Sequence, residues 1–223
     1  MLRTLCQKIL LAEGSYHHSR STMRSVSHIE RLLRHMNRYG IVRTRDLEKL
    51  GVPRVALKRA ADRGQVTRWA RGVYVSPDHA VTRHTDIAAV GARTPKAVIC
   101  LVSALEYHGM TTQVPHAVWI MIHKSAHRPT FTTPATRIVR ASGLALTTGV
   151  EKHRIEDVTV RMTSPAKTVA DCFRYRDTVG TDVAVEALRD CLRKRKATPS
   201  DIFEMAKVDR VASVMRPYLE ALV

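Results

Sequence analysis

The side chains of this sequence that are grouped tightly enough to do chemistry are cations. Arg54, Lys58, Arg59 and Arg63 lie within one short stretch, and Arg68 and Arg71 follow in a β-prone segment. Guanidinium and ammonium groups in such a pattern suit the recognition of phosphate, which arginine can hold with two parallel hydrogen bonds. Acid–base and metal chemistry find less support. The chain has no Gly-Lys dipeptide of a P-loop, no H-E-x-x-H and no Asp-x-Asp pair. Glu156-Asp157 precedes the strand-like run Val158–Met162, which offers Arg161 but no acid, a poor start for a metal nuclease. Among eleven histidines, His17-His18, His123 and His127 lack the accompanying cysteine or carboxylate spacing of a metal site. The expectation is a protein without catalytic residues, metal or cofactor. A DNA nuclease with a targeting domain is the weaker alternative.

Bulk charge points the same way. The 223 residues carry 37 Lys and Arg against 20 Asp and Glu, a net charge of +17, as expected of a nucleic-acid or other polyanion binder. Thirteen of the cations and only four of the acids fall between Arg24 and Ser76, so just over half of the excess sits in that block. The four cysteines, Cys6, Cys100, Cys172 and Cys191, are far apart and form no C-x-x-C pair, which fits a reducing cytoplasm. No apolar run reaches the ~18 residues needed to span a bilayer.

The elements that must position these cations can be read from local signals. Ile29, Leu32, Leu33 and Met36 make a helical stripe, with Ser27 as N-cap and Gly40 as the stop. Thr44 is expected to cap a second helix over Arg45–Leu50, ended by Gly51. Pro53 then opens a third helix that runs to Arg63, with Ala56, Leu57, Ala60 and Ala61 inward and the cations outward. Gln65–Val75 reads as a hairpin around Arg71-Gly72, its Val66, Val73 and Val75 packing under the third helix. Trp69 has two readings, a stack on a sugar or an anchor of the hairpin. Helix, helix, glycine turn, basic helix and basic hairpin spell a winged helix-turn-helix. Thr44, Arg54, Lys58, Arg59, Arg63, Arg68 and Arg71 are the expected contacts to double-stranded DNA, with Arg54 and Lys58 facing base edges and Arg68 and Arg71 the backbone or minor groove.

Beyond this block the pattern alternates. Helices are expected at His84–Ala92 and Leu101–Tyr107, strands near Val118–Ile122, Arg137–Ala141 and Val158–Met162, and helices at Pro165–Arg174, Asp182–Arg195, Pro199–Ala206 and Val211–Leu222. Ser164-Pro165 is a helix start, and Lys167 with Asp171 reads as a surface pair. Arg193-Lys194-Arg195-Lys196 complements a helix C-terminus, a second phosphate contact being the sharper reading. The fold class is α+β: an N-terminal winged helix-turn-helix followed by a mixed α/β C-terminal domain ending in helices. The boundaries are an extension over residues 1–23, with a short helix at Leu2–Ala12, the DNA-binding domain over 24–76, a linker over 77–83 and the second domain over 84–223.

The stretch Leu47-Glu48-Lys49-Leu50-Gly51-Val52-Pro53 through Leu57, with Arg63-Gly64 and Arg71-Gly72-Val73-Tyr74, resembles the N-terminal domain of AbiEi antitoxins, transcriptional regulators of type IV, abortive-infection toxin–antitoxin systems. Ser103-Ala104-Leu105 with His108-Gly109, and Thr163-Ser164-Pro165-Ala166-Lys167-Thr168-Val169-Ala170-Asp171, are similar to later elements of that family. The resemblance implies a repressor that binds inverted repeats in its own promoter; a monomer in solution with cooperative binding on DNA is the separate expectation for its assembly. It also implies a C-terminal domain that counteracts a nucleotidyltransferase toxin in phage defence, with or without direct contact. A regulator that senses a small ligand instead is the alternative.

Overall fold

The computed structural model describes residues 26–77, 84–156 and 158–222. The expected extension and its helix, and all of the linker but Pro77, lie outside these residues. Ser27 caps α1 (His28–Tyr39) through a reciprocal box with Glu30, and Gly40 ends it in the left-handed region at φ 74°. Ile41 and Val42, expected only as a connecting pair, begin β1 (Ile41–Arg43). The second helix is not an α-helix. Thr44–Asp46 form one 3-10 turn without a side-chain cap, and Leu47–Gly51 continue as turns. The cause is at the start of the segment, where the Thr44 amide donates to Gly72 O across the wing (2.9 Å) and keeps the chain extended where a helix would begin. Pro53 serves as the extended cap residue of α2 (Arg54–Asp62), one residue later than its type suggested.

The wing is a three-stranded antiparallel sheet in which β3 (Val73–Val75) lies between β1 and β2 (Thr67–Ala70). Leu32, Met36, Leu47, Leu57 and Val66 form a core under one face of it, joined by Tyr74. Val73 and Val75 do not pack there, contrary to the sequence expectation. Strand alternation turns them to the opposite face with Ile41, where they meet Ile87 and Val90 of α3 (Thr85–Arg93). Trp69 packs against this second cluster, which settles it as an anchor of the hairpin.

The larger sheet comprises β4 (Val98–Ile99), β5 (Val118–His123), β6 (Thr136–Ala141), β7 (Val150–Ile155) and β8 (Val158–Thr163), in the order β6-β5-β4-β8-β7. The β5/β6 and β4/β8 pairs are parallel and the rest antiparallel. Both faces are covered, which explains the unbroken apolar run of β5: Val118, Ile120 and Ile122 face α3, while Trp119 and Met121 face the helical layer. α3 rides so close on β8 that a Cβ at Gly91 would meet Val160 at 2.7 Å. The opposite layer contains α4 (Leu101–His108), α5 (Leu144–Thr147), α6 (Pro165–Arg174), α7 (Arg176–Val179), α8 (Thr181–Arg193), α9 (Pro199–Val208) and α10 (Ala212–Leu222). β4, β7, α5 and α7 had no counterpart in the sequence reading. They are two- to six-residue pieces, or strands with mostly exposed polar residues, and leave little periodic signal.

Ser164 caps α6 and Pro165 opens it, as their types imply. Lys167 and Asp171, however, are not a surface pair. Both are fully buried, and the Lys167 ammonium touches Asp171 and both oxygens of Asp209 (2.9 and 3.0 Å) from the end of α9. Burial pushes the Asp171 carboxyl up, while the two carboxylates together hold the Lys167 proton more tightly than usual despite burial. Arg174 reaches the same cluster from the rim, 3.5 Å from Asp209. Spacing reveals the i, i+4 pair, but not the third partner 42 residues on. Lys167→Met should strand two buried carboxylates and lower stability by about 3–5 kcal/mol at neutral pH. Because the buried Asp171 carboxyl would then be protonated more readily folded than unfolded, denaturant titration should show part of the loss recovered at acidic pH.

Candidate nucleic-acid interface

α2 is aimed by α1. Arg31 Nη1 donates to Gly51 O (3.2 Å), and His28 Nδ1 lies 2.9 Å from the same oxygen. Gly51 adopts φ +61°, a conformation that favours glycine, and a Cβ there would meet Arg31 Nη1 at 2.6 Å and push the guanidinium off its bond to Gly51 O. With Ala56, Leu57 and Ala60 buried against α1, the other side of α2 presents Arg54, Val55, Lys58 and Arg59 to solvent, and Arg63 follows at the C-cap. Among the described residues, none of these cations has a carboxylate partner within 4.0 Å.

A cleft of about 390 Å³ opens beside the N-terminus of α2, where the wing turn meets the end of α3. Thr44, Arg45, Arg54 and Arg71 line it, with Arg43 and Arg93. Of the sequence candidates, it brings together Thr44, Arg54 and Arg71. Lys58, Arg59 and Arg63 lie along the outer face of α2, and Arg68 is exposed on β2. Thr44 is tied to the wing turn through its backbone, so its role as a helix cap is replaced by one of joining the 3-10 turn to the wing. Arg43 is engaged by Asp46.

Arg93 was absent from the sequence candidates. It stacks over the Phe131 ring (3.8 Å to the centroid) and Nη1 donates to Thr133 O (2.9 Å). Burial, then the charges of Arg71 and Arg68, lower its affinity for its proton, which places the three cations in one electrostatic neighbourhood. The one signal in the sequence was a cation in the last turn of a helix, which reads as macrodipole complement. Val55, which falls on the outward arc of the helical wheel with the cations, was not among the sequence candidates either; it is an apolar side chain 58% exposed in the middle of the cationic face.

Residues 30–77 match the family described as "Transcriptional regulator, AbiEi antitoxin". The match covers α1, the turns, α2 and the whole wing, so the AbiEi-type segment is the winged helix-turn-helix itself and includes every sequence-predicted contact residue. It supports a transcriptional regulator of the antitoxin kind. No curated protein matches the chain. Among solved structures, the RV2827C protein from Mycobacterium tuberculosis is similar in fold, with 13% identity and a TM-score of 0.56, over 86% of this chain and 80% of that one. That likeness extends the shared fold beyond the AbiEi-type segment into the second sheet and its helices.

Of the other residues considered for chemistry, His17 and His18 lie outside the described residues. Glu156 accepts a hydrogen bond from Thr85 Oγ1 (2.6 Å), and Asp157 lies outside the described residues. His123 Nδ1 is 2.7 Å from Ser125 Oγ. Among the described residues no group of three or more His, Cys, Asp or Glu could hold a metal ion, and no helix is long and apolar enough to cross a membrane.

Within the AbiEi-type segment, Gly72 sets the wing turn at φ +76°, and a Cβ there would meet only Thr44 Oγ1 at an ordinary 3.6 Å. The cost of Gly72→Ala is therefore backbone strain rather than collision. It should destabilise the protein by about 1–2 kcal/mol in denaturant titrations, and Gly72→Asn by less, since asparagine tolerates the left-handed region.

Proposed function

We propose that the protein is a DNA-binding transcriptional repressor and antitoxin of a type IV toxin–antitoxin system. The carrying observation is the exposed cationic face of α2 joined to the arginine-lined cleft at the wing, where, among the described residues, Arg43 alone of these cations has a carboxylate partner. A helix fits the major groove, and its N-terminal residues lie nearest the bases. Arg54 and Lys58, one turn apart, read base edges. Arg59, Arg63, Arg68 and Arg71, together with Thr44, hold the backbone. Val55, between them, meets a thymine methyl, the one apolar feature on the major-groove floor.

Two copies bind the half-sites of an inverted repeat in the operon's own promoter, monomeric in solution and cooperative on DNA. Residues 84–223 counter a nucleotidyltransferase toxin in phage defence, in the cytoplasm. The family match supports this division by falling wholly within the N-terminal segment, leaving the second sheet and its helices for another task.

The electrostatic part is tested by salt. If about 4–6 phosphates are neutralised, log affinity for duplex DNA should fall against log salt with a slope of roughly −4 to −5, and a flat response would refute the interface. Arg54→Ala or Lys58→Ala should cost about 1–3 kcal/mol and relax sequence preference, whereas Arg71→Ala should weaken all sequences alike. In cells, Arg54→Ala with Lys58→Ala should release promoter repression yet still protect against the co-expressed toxin. Loss of both together would show that the two tasks are not divided in this way.

A further inference from the structure

We infer that Arg93, outside the AbiEi-type segment, is a DNA-backbone contact, and that the cleft between the wing and α3 is a phosphate seat assembled from both parts of the chain. The inference rests on the DNA-binding reading above and adds to it a residue from the C-terminal part.

Arg45, Arg54, Arg71 and Arg93 converge on the cleft with Arg43, and Asp46, the carboxylate beside them, is engaged by Arg43. Gathering like charges is unfavourable unless an anion binds among them. Arg93 is fixed in place for such a ligand. The Phe131 ring beneath its guanidinium and the carbonyl of Thr133 hold its orientation, so little side-chain entropy remains to be lost on binding. A role as complement to the α3 dipole needs only a charge near the helix end. It does not call for a guanidinium stacked on a ring and turned along a cleft shared with the wing. The end of α3 has its own side-chain partner, since Thr94 Oγ1 donates to Val90 O at 2.7 Å.

The cleft's chemistry also favours backbone phosphate over a free phosphate-bearing small molecule. Small-molecule pockets are walled mostly by apolar and aromatic groups, whereas the cleft is lined chiefly by arginine, with Val73 and Ala92 as its apolar members. Arg54 belongs both to this cleft and to the exposed face of α2. A phosphate seated here therefore lies beside the groove that α2 enters, where a duplex backbone must run.

The test uses the full chain, a promoter duplex and a random duplex across a salt series. Arg93→Gln should make the slope of log affinity against log salt shallower by about one unit on both duplexes, one phosphate contact amounting to about an eightfold change in affinity per tenfold change in salt. Arg93→Lys should restore the slope but not the full affinity, because lysine lacks the planar fork. An Arg93→Gln variant with the wild-type slope, whether or not its affinity falls, would overturn the inference, since a purely structural role lowers affinity without releasing a counterion. Pyrophosphate is the probe for the other source of phosphate. If it raises the melting temperature of the wild type but not of Arg93→Gln, and the duplex slopes of the two are equal, the cleft holds a free anion and the backbone assignment fails. Wild-type protein that binds neither duplex would overturn the DNA-binding reading together with this one, whereas an intact wild-type slope matched by Arg93→Gln overturns this one alone.

Discussion

The central strand of the wing and its neighbour β1 are covered on both faces, and the placement of the surface cations depends on that. On one face Val42 and Tyr74 close the core beneath α1 and α2, and on the other Ile41, Val73 and Val75 lie against α3. A hairpin alone is marginal in water. Here the wing is clamped between two apolar clusters, so Arg71 at its turn and Arg68 on its outer strand project from a fixed base. The same clamp brings the end of α3, and Arg93 with it, alongside the wing turn.

Charge is handled in two opposite ways in this molecule. Lys167, Asp171 and Asp209 are sealed from water, where each must be satisfied by the others, and Arg174 reaches Asp209 from the rim. Around the wing, Arg45, Arg54, Arg68 and Arg71 are exposed, and among the described residues none of them has a carboxylate partner within 4.0 Å. Within the same region some cations serve architecture: Arg31 holds the turn before α2 and Arg43 binds Asp46. Net charge alone cannot separate these uses, because a cation hydrogen-bonded to a carbonyl and one waiting for phosphate count equally.

What was legible in the sequence was local. Ser27, Gly40, the alanines of α2 and Ser164-Pro165 each act over a turn or two, and each stands where its chemistry implies. What was not legible depended on contacts distant along the chain. The 3-10 turn replaced a helix because Thr44 is bonded to Gly72; Val73 and Val75 turned toward α3 because of a partner surface that their own alternation cannot name; and Lys167 was buried by Asp209. The candidate site follows the same rule. The cations of α2 and the wing were found as a cluster in sequence, and Val55 falls with them on the outer arc of the helix, whereas Arg93 joins them only through tertiary packing.

The shared apolar seam between the wing and α3 bears on how two copies would accommodate a repeat. A reading head on a loose tether tolerates half-sites at many separations, because the tether absorbs the difference in distance and in rotation around the duplex. Ile41, Val73 and Val75, packed with Ile87 and Val90, leave no such slack between the head and the body that follows it. Each inserted base pair rotates one half-site by roughly 34–36° about the duplex, as a helical repeat of ~10–10.5 bp requires. Two stiff molecules that touch while bound are therefore phased by the double helix itself, and half a turn of extra DNA would point their bodies away from each other.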